Sequence, residues 1–272
     1  MTTETSFPTD SVALRTSSRR LRISLGTWVA IEATADSASA EQVAIDAAYA
    51  AISEIDRRMH PHRAGSDLAR INSAQLQTPL EIQPSTWRLL KLAKRLYALT
   101  DGVFDPCLPG RPGRLGDVEI GSEAVVTCHA PVALDFGGIA KGYAIDCAVD
   151  VLTALGCSAG LVNAGGDLRV FGTRSEAILL RRANDTYQQI HLGEEALAVS
   201  DLDATERPAE HQGYYNRSGR LAAAHRYAAV VAKDAATADA LTKCVLLCPG
   251  DRTARVLQDL GAKCVSESAV TA

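Results

Sequence analysis

No apolar run in this sequence is long enough to span a bilayer, which excludes a membrane-inserted helix. Neither charge sign prevails: 28 Lys and Arg stand against 32 Asp and Glu, a net charge of −4, and the two signs are interspersed. That balance offers no broad electropositive surface, so nucleic acid is not expected as a partner. Proline and glycine do not dominate, and with 47% apolar and 22% charged residues disorder is expected only at the ends. The cysteines (Cys107, Cys128, Cys147, Cys157, Cys244, Cys248 and Cys264) contain no C-x-x-C pair and no zinc-ribbon spacing. Odd in number and partly set on apolar helix faces, they read as small buried hydrophobes of a reducing compartment, and a cytoplasmic protein is expected. There is no tandem repeat and no cysteine near the start for lipidation. Ser18-Arg19-Arg20 ahead of an apolar stretch imitates a twin-arginine signal. The stretch, however, alternates Leu21, Ile23, Leu25, Thr27, Val29 and Ile31 with Arg22, Ser24 and Glu32, the period of an amphipathic strand rather than of a uniform signal core.

What is present reads as helices and short strands in mixed order. A flexible tail over 1–19 and a single domain over 20–272 are expected. The first strand runs from Leu21 through Ile31, and apolar residues at helical spacing predict a helix over Ala38–Met59. A short capped turn covers Ser66 to Asn72, and Ser85 is placed to cap a second helix through about Thr100. The segment Pro109 to Gly116 has too many breakers for regular structure. A strand is predicted at Val132–Leu134 and a helix at Ile139–Leu155. Strand-like pieces follow at Gly160–Phe171, Ala177–Leu180, Gln189–Leu192, Ala196–Ser200 and Arg226–Ala232. Helices are predicted from Ala236 to about Leu247 and again from Asp251. Without a regular βαβ repeat, the class is α+β with mostly antiparallel sheets packed with helices.

The segment Asp135-Phe136-Gly137-Gly138-Ile139-Ala140-Lys141-Gly142 carries the most chemistry. A strand running through two glycines into a helix exposes backbone amides at a helix N-terminus, where the dipole favours phosphate. Lys141 falls in the first helical turn, where a cation is disfavoured unless an anion lies nearby. The spacing is neither the dinucleotide fingerprint G-x-G-x-x-G nor a Walker loop. On the helix near the C-terminus, Asp239 and Thr242 are three apart and share a face, so both can turn oxygens to one hard cation, although for this segment alone an ordinary amphipathic helix with a capping aspartate is the plainer reading. His60 and His62 suggest a metal pair, but no third ligand is evident and a surface turn is the plainer reading.

These segments occur in an order that resembles the ApbE-like flavin transferases. Residues 135–146 resemble D-x-G-G-I-A-K-G-Y-A-x-D, and Leu25-Gly26-Thr27 resembles M-G-T. Ser66 to Asn72 is similar to S-D/E-L-x-R-x-N, and Gly102-Val103-Phe104-Asp105-Pro106 to G-A-F-D-P. Asn163-Ala164-Gly165-Gly166-Asp167 is similar to N-x-G-G-D, and Ala238-Asp239-Ala240-Leu241 to the start of A-D-A-L-x-T. The resemblance implies an ApbE-like, T-fold-like architecture. It implies FAD contacts at Leu25, Val103, Phe104, Asp105, Asp135 and Lys141, with His62 at the position of an aromatic. It also implies Mg²⁺ held by the Gly138 carbonyl, Asp239 and Thr242. Mg²⁺ would bridge the FAD diphosphate while a Thr or Ser hydroxyl of an acceptor flavoprotein attacks the phosphorus on the riboflavin side and AMP leaves. An FAD pyrophosphatase and a non-catalytic FAD-binding protein are the alternatives.

Three departures stand out. The family's threonine lies four residues after the aspartate, whereas here Thr242 lies at three and Lys243 at four, so Lys243 is expected on the diphosphate, supplementing or replacing the metal. The H-x-x-D-P-x-T-G segment has no clear counterpart, which leaves His211 as the candidate catalytic histidine. Ser200-Asp201-Leu202-Asp203 stands where small hydroxyl residues are usual.

Overall fold

The structure, a computed structural model, describes residues 16–182, 186–202, 214–215, 221–222, 225–247 and 250–269. Strands β1 (Thr16–Ser24) and β2 (Thr27–Ala35) are followed by helices α1 (Ala38–Met59) and α2 (Asp67–Asn72), strand β3 (Leu80–Glu81) and helix α3 (Pro84–Leu99). A 3-10 turn at Leu115–Asp117 leads into β4 (Val118–Ile120), β5 (Val125–Cys128) and α4 (Ala140–Ala154). Next come β6 (Ala159–Ala164), β7 (Asp167–Gly172), β8 (Glu176–Arg181), β9 (Tyr187–Leu192) and β10 (Ala196–Asp201). The described chain ends with β11 (Tyr214–Tyr215), β12 (Leu221–Ala222), β13 (His225–Ala232), α5 (Ala235–Leu247), α6 (Asp251–Asp259) and β14 (Lys263–Ala269).

Seven strands in the order β1-β2-β6-β7-β10-β13-β14 make one sheet, antiparallel at every neighbouring pair. The expected α+β class, antiparallel sheets packed with helices, is what forms. Period-two alternation gives this sheet two apolar faces. Val29, Ile31, Val162, Ala198, Ala228 and Val230 look toward α1, α4 and α5. On the opposite face Leu161, Leu168, Val170, Leu197 and Val231 are covered by the β8–β9 hairpin through Leu180 and Leu192. Each fully buried aliphatic side chain contributes about 1.5–3 kcal/mol. Helix α1 has the bounds its periodicity predicts, with Ser37 as N-cap accepting from the Ala40 N–H at 3.2 Å and Ala44, Ala48, Ile52, Ile55 and Met59 buried.

Four expectations change. The strand read from Leu21 through Ile31 is a hairpin, with Leu25 and Gly26 forming its two-residue turn at φ 53° and 69°. Positive φ at both central residues matches the right-handed strand twist, but a leucine there costs about 1–2 kcal/mol. The turn also resets the alternation, so Leu21 and Ile23 are exposed while Val29 and Ile31 are buried. Gly160–Phe171 likewise splits into β6 and β7 at Gly165-Gly166. The strand at Val132–Leu134 reduces to a single bridge between Cys107 and Leu134. Asn72 takes the place of a neighbouring strand there: its Oδ1 accepts from the Leu134 N–H at 2.7 Å and its Nδ2 donates to the Leu134 carbonyl at 2.9 Å. Helix α3 begins at Pro84 rather than being capped by Ser85, because proline suits the first helical position, whose N–H has no helical partner.

Candidate functional site

The Leu25–Gly26 turn, the Gly165–Gly166 turn, the start of α4 and one flank of α5 meet at the end of the large sheet around a cavity of about 860 Å³. That volume suits a nucleotide-sized ligand, since small-molecule sites span roughly 300–1,000 Å³. Its wall has two characters. On the helix side stand Lys141, Asp239 and Lys243; on the β8 side Leu168, Ile178, Leu197, Val199 and Tyr227 give a largely apolar surface bordered by the Arg181–Asp201 ion pair. The alternation of the strands produces this division. Asp167 and Ser200 point to the helices, while Leu168 and Val199, one residue along, join the opposite face.

Three charges, Asp167, Asp239 and Lys243, are buried on the helix side, and the partly exposed Lys141 joins them. The Lys243 ammonium rests on Asp239 Oδ1, one helical turn away on α5. Asp239 Oδ2 accepts from the Gly142 N–H at 3.2 Å, so this carboxylate occupies the anion position at the N-terminus of α4. The Lys141 ammonium lies 2.9 Å from Asp167 Oδ2, and Asp167 Oδ1 accepts from the Val199 N–H at 2.9 Å. The anion that Lys141 requires in the first helical turn is therefore a carboxylate of the chain itself. Burial pushes the Asp167 carboxyl above the ordinary range and the Asp239 charge adds to this, while Lys141 and Lys243 pull the other way. Thr242 is fully buried; its hydroxyl donates to the Asp239 carbonyl at 2.7 Å and so accepts from the Ser200 hydroxyl at 2.7 Å.

Backbone proximity makes these pairings possible. A Cβ on Gly142 would lie 2.2 Å from the Ala235 carbonyl oxygen, so only glycine lets α4 and α5 approach this closely. Asp146 fixes the same junction. Its two oxygens accept from the Ala235 and Ala236 N–H groups at 2.9 and 2.8 Å, capping α5, and Arg169 stands 2.8 Å away. Burial pushes the Asp146 carboxyl up to about 6 against the pull of Arg169 and the two amides.

The predicted site residues fall into three groups. Leu25, Lys141, Asp239 and Lys243 line the cavity, and Gly138 lies against Lys243, where an added Cβ would be 3.3 Å from Cε. The glycine corner and the Asp239 helix thus converge. Thr242 is close by but faces Ser200. His62, Val103, Phe104, Asp105 and Asp135 do not line the cavity. His62 is exposed in a turn beside His60. Phe104 is buried in the core, Asp105 Oδ1 accepts from the Cys107 N–H at 2.9 Å, and Asp135 Oδ1 accepts from the Gly137 N–H at 2.7 Å. His211 lies outside the described residues. Among the described residues no group of three or more His, Cys, Asp or Glu side chains is arranged to hold a metal, which leaves His60 and His62 without a third ligand. Asp167, Asp146 and Ser200 were not singled out for the site. Asp167 ends the Asn163–Asp167 segment and Asp146 the 135–146 segment, so both are visible as acidic ends of glycine-containing motifs, and Ser200 begins the segment that stands where small hydroxyl residues are usual.

This architecture is that of flavin transferases of known structure. The chain superposes on the flavinyl transferase ApbE of Pseudomonas stutzeri in its apo form with a TM-score of 0.77, at 20% identity over 94% of each chain. It superposes on the ApbE protein of Thermotoga maritima with a TM-score of 0.78, at 23% identity over 93% of this chain and 97% of that one. The ApbE family profile matches residues 25–110 and 114–265, and the chain belongs to that family. The FAD:protein FMN transferase of Rhodobacter capsulatus is 25% identical over an alignment of 185 residues that covers 57% of this chain and 35% of that protein. The chain spans less than two thirds of the length of the curated relatives it matches. Among the described residues no helix is long and apolar enough to cross a membrane, and the six cysteines there form no disulfide.

Proposed function

We propose that the chain transfers the FMN half of FAD to a Thr or Ser hydroxyl of an acceptor flavoprotein and releases AMP. The observation that carries this reading is the convergence on one cavity of the Gly137–Gly138 corner, the Gly165–Gly166 turn and the Asp239–Lys243 face of α5. The matched relatives named FAD:protein FMN transferase support it. A charged wall beside a largely apolar one also suits a ligand whose diphosphate joins two ring systems. Lys141 and Lys243 stand on the charged side, Leu25 at the entrance, and Ile178, Leu197 and Tyr227 offer apolar surface for a ring.

In the reaction the acceptor hydroxyl oxygen attacks the phosphorus on the riboflavin side. A P–O ester bond forms as the anhydride bond to AMP breaks, and the hydroxyl proton passes to a base, for which His211 is our candidate. Phosphoryl transfer asks mainly for positioning and charge stabilisation, and the ammonium groups of Lys141 and Lys243 would supply both. The resemblance implies Mg²⁺ held by the Gly138 carbonyl, Asp239 and Thr242. The donors do not fit a metal as they are arranged: both Asp239 oxygens have protein partners, one of them an ammonium, and Thr242 is turned to Ser200. No step is therefore routed through a metal. We place the protein in the cytoplasm on the strength of its buried thiols.

The test is incubation of the purified protein with FAD, with and without a flavin-depleted cell extract as the source of acceptor. AMP is followed by chromatography and covalent flavin by in-gel fluorescence. Acceptor-dependent AMP release together with a fluorescent protein band is expected. AMP release at the same rate without acceptor would make the chain a pyrophosphatase, and FAD binding with no AMP would make it a carrier.

A further inference from the structure

The lysine on α5 bears on how a diphosphate is neutralised in this cavity. Lys243 is 6% exposed and Asp239 1%. An ammonium so far from water requires a charged partner, and Asp239 is that partner. The lysine methylenes run along the glycine corner, since a Cβ on Gly138 would be 3.3 Å from Lys243 Cε and 3.5 Å from Cγ. The side chain thus fills the space between the corner and the carboxylate, the space a divalent ion would need. Mg²⁺ there would have to displace a like charge and then gather a near-octahedral shell of oxygens. On the same wall Lys141 presents a second ammonium, held beside Asp167.

We propose that Lys243 is the resident cation of this site: anchored on Asp239 and acting with Lys141, it receives a nucleotide diphosphate, and binding needs no divalent metal. An ammonium carries three N–H donors, so Lys243 serves Asp239 and a phosphate oxygen together. Asp239 is then the anchor of an ammonium rather than a metal ligand. The inference rests on FAD being the ligand.

The experiment is a fluorescence titration of the full chain with FAD, in EDTA and then in millimolar Mg²⁺, together with Mn²⁺ binding followed by electron paramagnetic resonance. For the unsubstituted chain we expect FAD to bind in EDTA with an affinity that Mg²⁺ leaves unchanged, and no bound Mn²⁺. Lys243→Met should weaken FAD binding in EDTA roughly 10- to 100-fold, the loss of one charge-assisted contact. That single variant leaves Asp239 buried and unpaired, so the Asp239→Asn/Lys243→Met double variant accompanies it. The double variant should melt near the unsubstituted chain and show the same loss. FAD binding that appears only with Mg²⁺, accompanied by bound Mn²⁺, would overturn the proposal and leave the transferase reading intact. FAD binding unchanged in the double variant would also overturn it. No FAD binding by the unsubstituted chain with or without Mg²⁺ would overturn both.

Discussion

On one face of the large sheet, the strand under α1 and the central strands β7 and β10 beside the cavity are built differently. Under α1 the strand β2 presents Val29, Ile31 and Ala33, all 0% exposed, to an aliphatic layer. Farther across, β7 and β10 turn Asp167 and Ser200 toward α4 and α5, where they meet Lys141, Asp239, Thr242 and Lys243. The first arrangement is what stability alone selects. The second is not, since well-packed apolar residues in place of a buried ion pair are often neutral or stabilising by about 1–4 kcal/mol. The Lys141–Asp167 and Lys243–Asp239 pairs lie beside the cavity, so they are best understood as serving a ligand.

This contrast is sharpest in a pair of variants beside the cavity. Asp239→Ala leaves Lys243 buried without its carboxylate and should destabilise the fold by about 3–5 kcal/mol, with FAD binding lost. The charge-free Asp239→Asn/Lys243→Met chain should recover most of that stability but keep the roughly 10- to 100-fold loss of FAD affinity. Chemical denaturation measures the first quantity and fluorescence titration the second. Equal destabilisation in both chains would show that the pair is a structural element like the layer under α1.

Under α1, Ile31→Ala should cost about 2–5 kcal/mol through lost burial and the cavity left behind, and at a temperature where the variant is folded its FAD affinity should be unchanged. An affinity loss comparable to that of the double variant would erase the distinction between the two regions.

Asp146 lies between the two regions and yields a pH test. Its folded value of about 6 stands above its ordinary 3.8, so between those values the folded chain holds a proton that the unfolded chain has released. Its contribution is present at low pH and is lost as pH rises through about 6, by at most about 3 kcal/mol. Denaturation midpoints of the unsubstituted chain relative to Asp146→Asn, taken from pH 4 to 7, should fall along this curve; a flat difference would refute it. The smallest effect is expected for Ser200→Ala, which removes one hydrogen bond to Thr242 and should cost about 1 kcal/mol by thermal melting.

The legible parts of the sequence were those whose cause is local. Helix α1 follows from spacing alone, and the glycine corner at Gly137–Gly138 announces itself by composition. The hairpin turn at Leu25–Gly26 did not, because leucine is an unfavourable residue for positive φ and the alternation of apolar residues continues across it. The missing strand at Leu134 depends on Asn72, a side chain far away in sequence. In the site, the shared face of Asp239 and Lys243 is given by their spacing of four. The pairing of Lys141 with Asp167 and of Thr242 with Ser200 depends on how β7 and β10 cross the helices, which no local pattern encodes. Asp105 and Asp135, which the resemblance implies for FAD, fasten loop amides.

The most direct measurement is a crystal structure of the chain grown with FAD and Mn²⁺, with anomalous scattering used to locate the metal. The account predicts the diphosphate in contact with the ammonium groups of Lys141 and Lys243, and no manganese between Gly138 and Asp239. A manganese peak there with Lys243 swung aside, or FAD bound elsewhere, would contradict it.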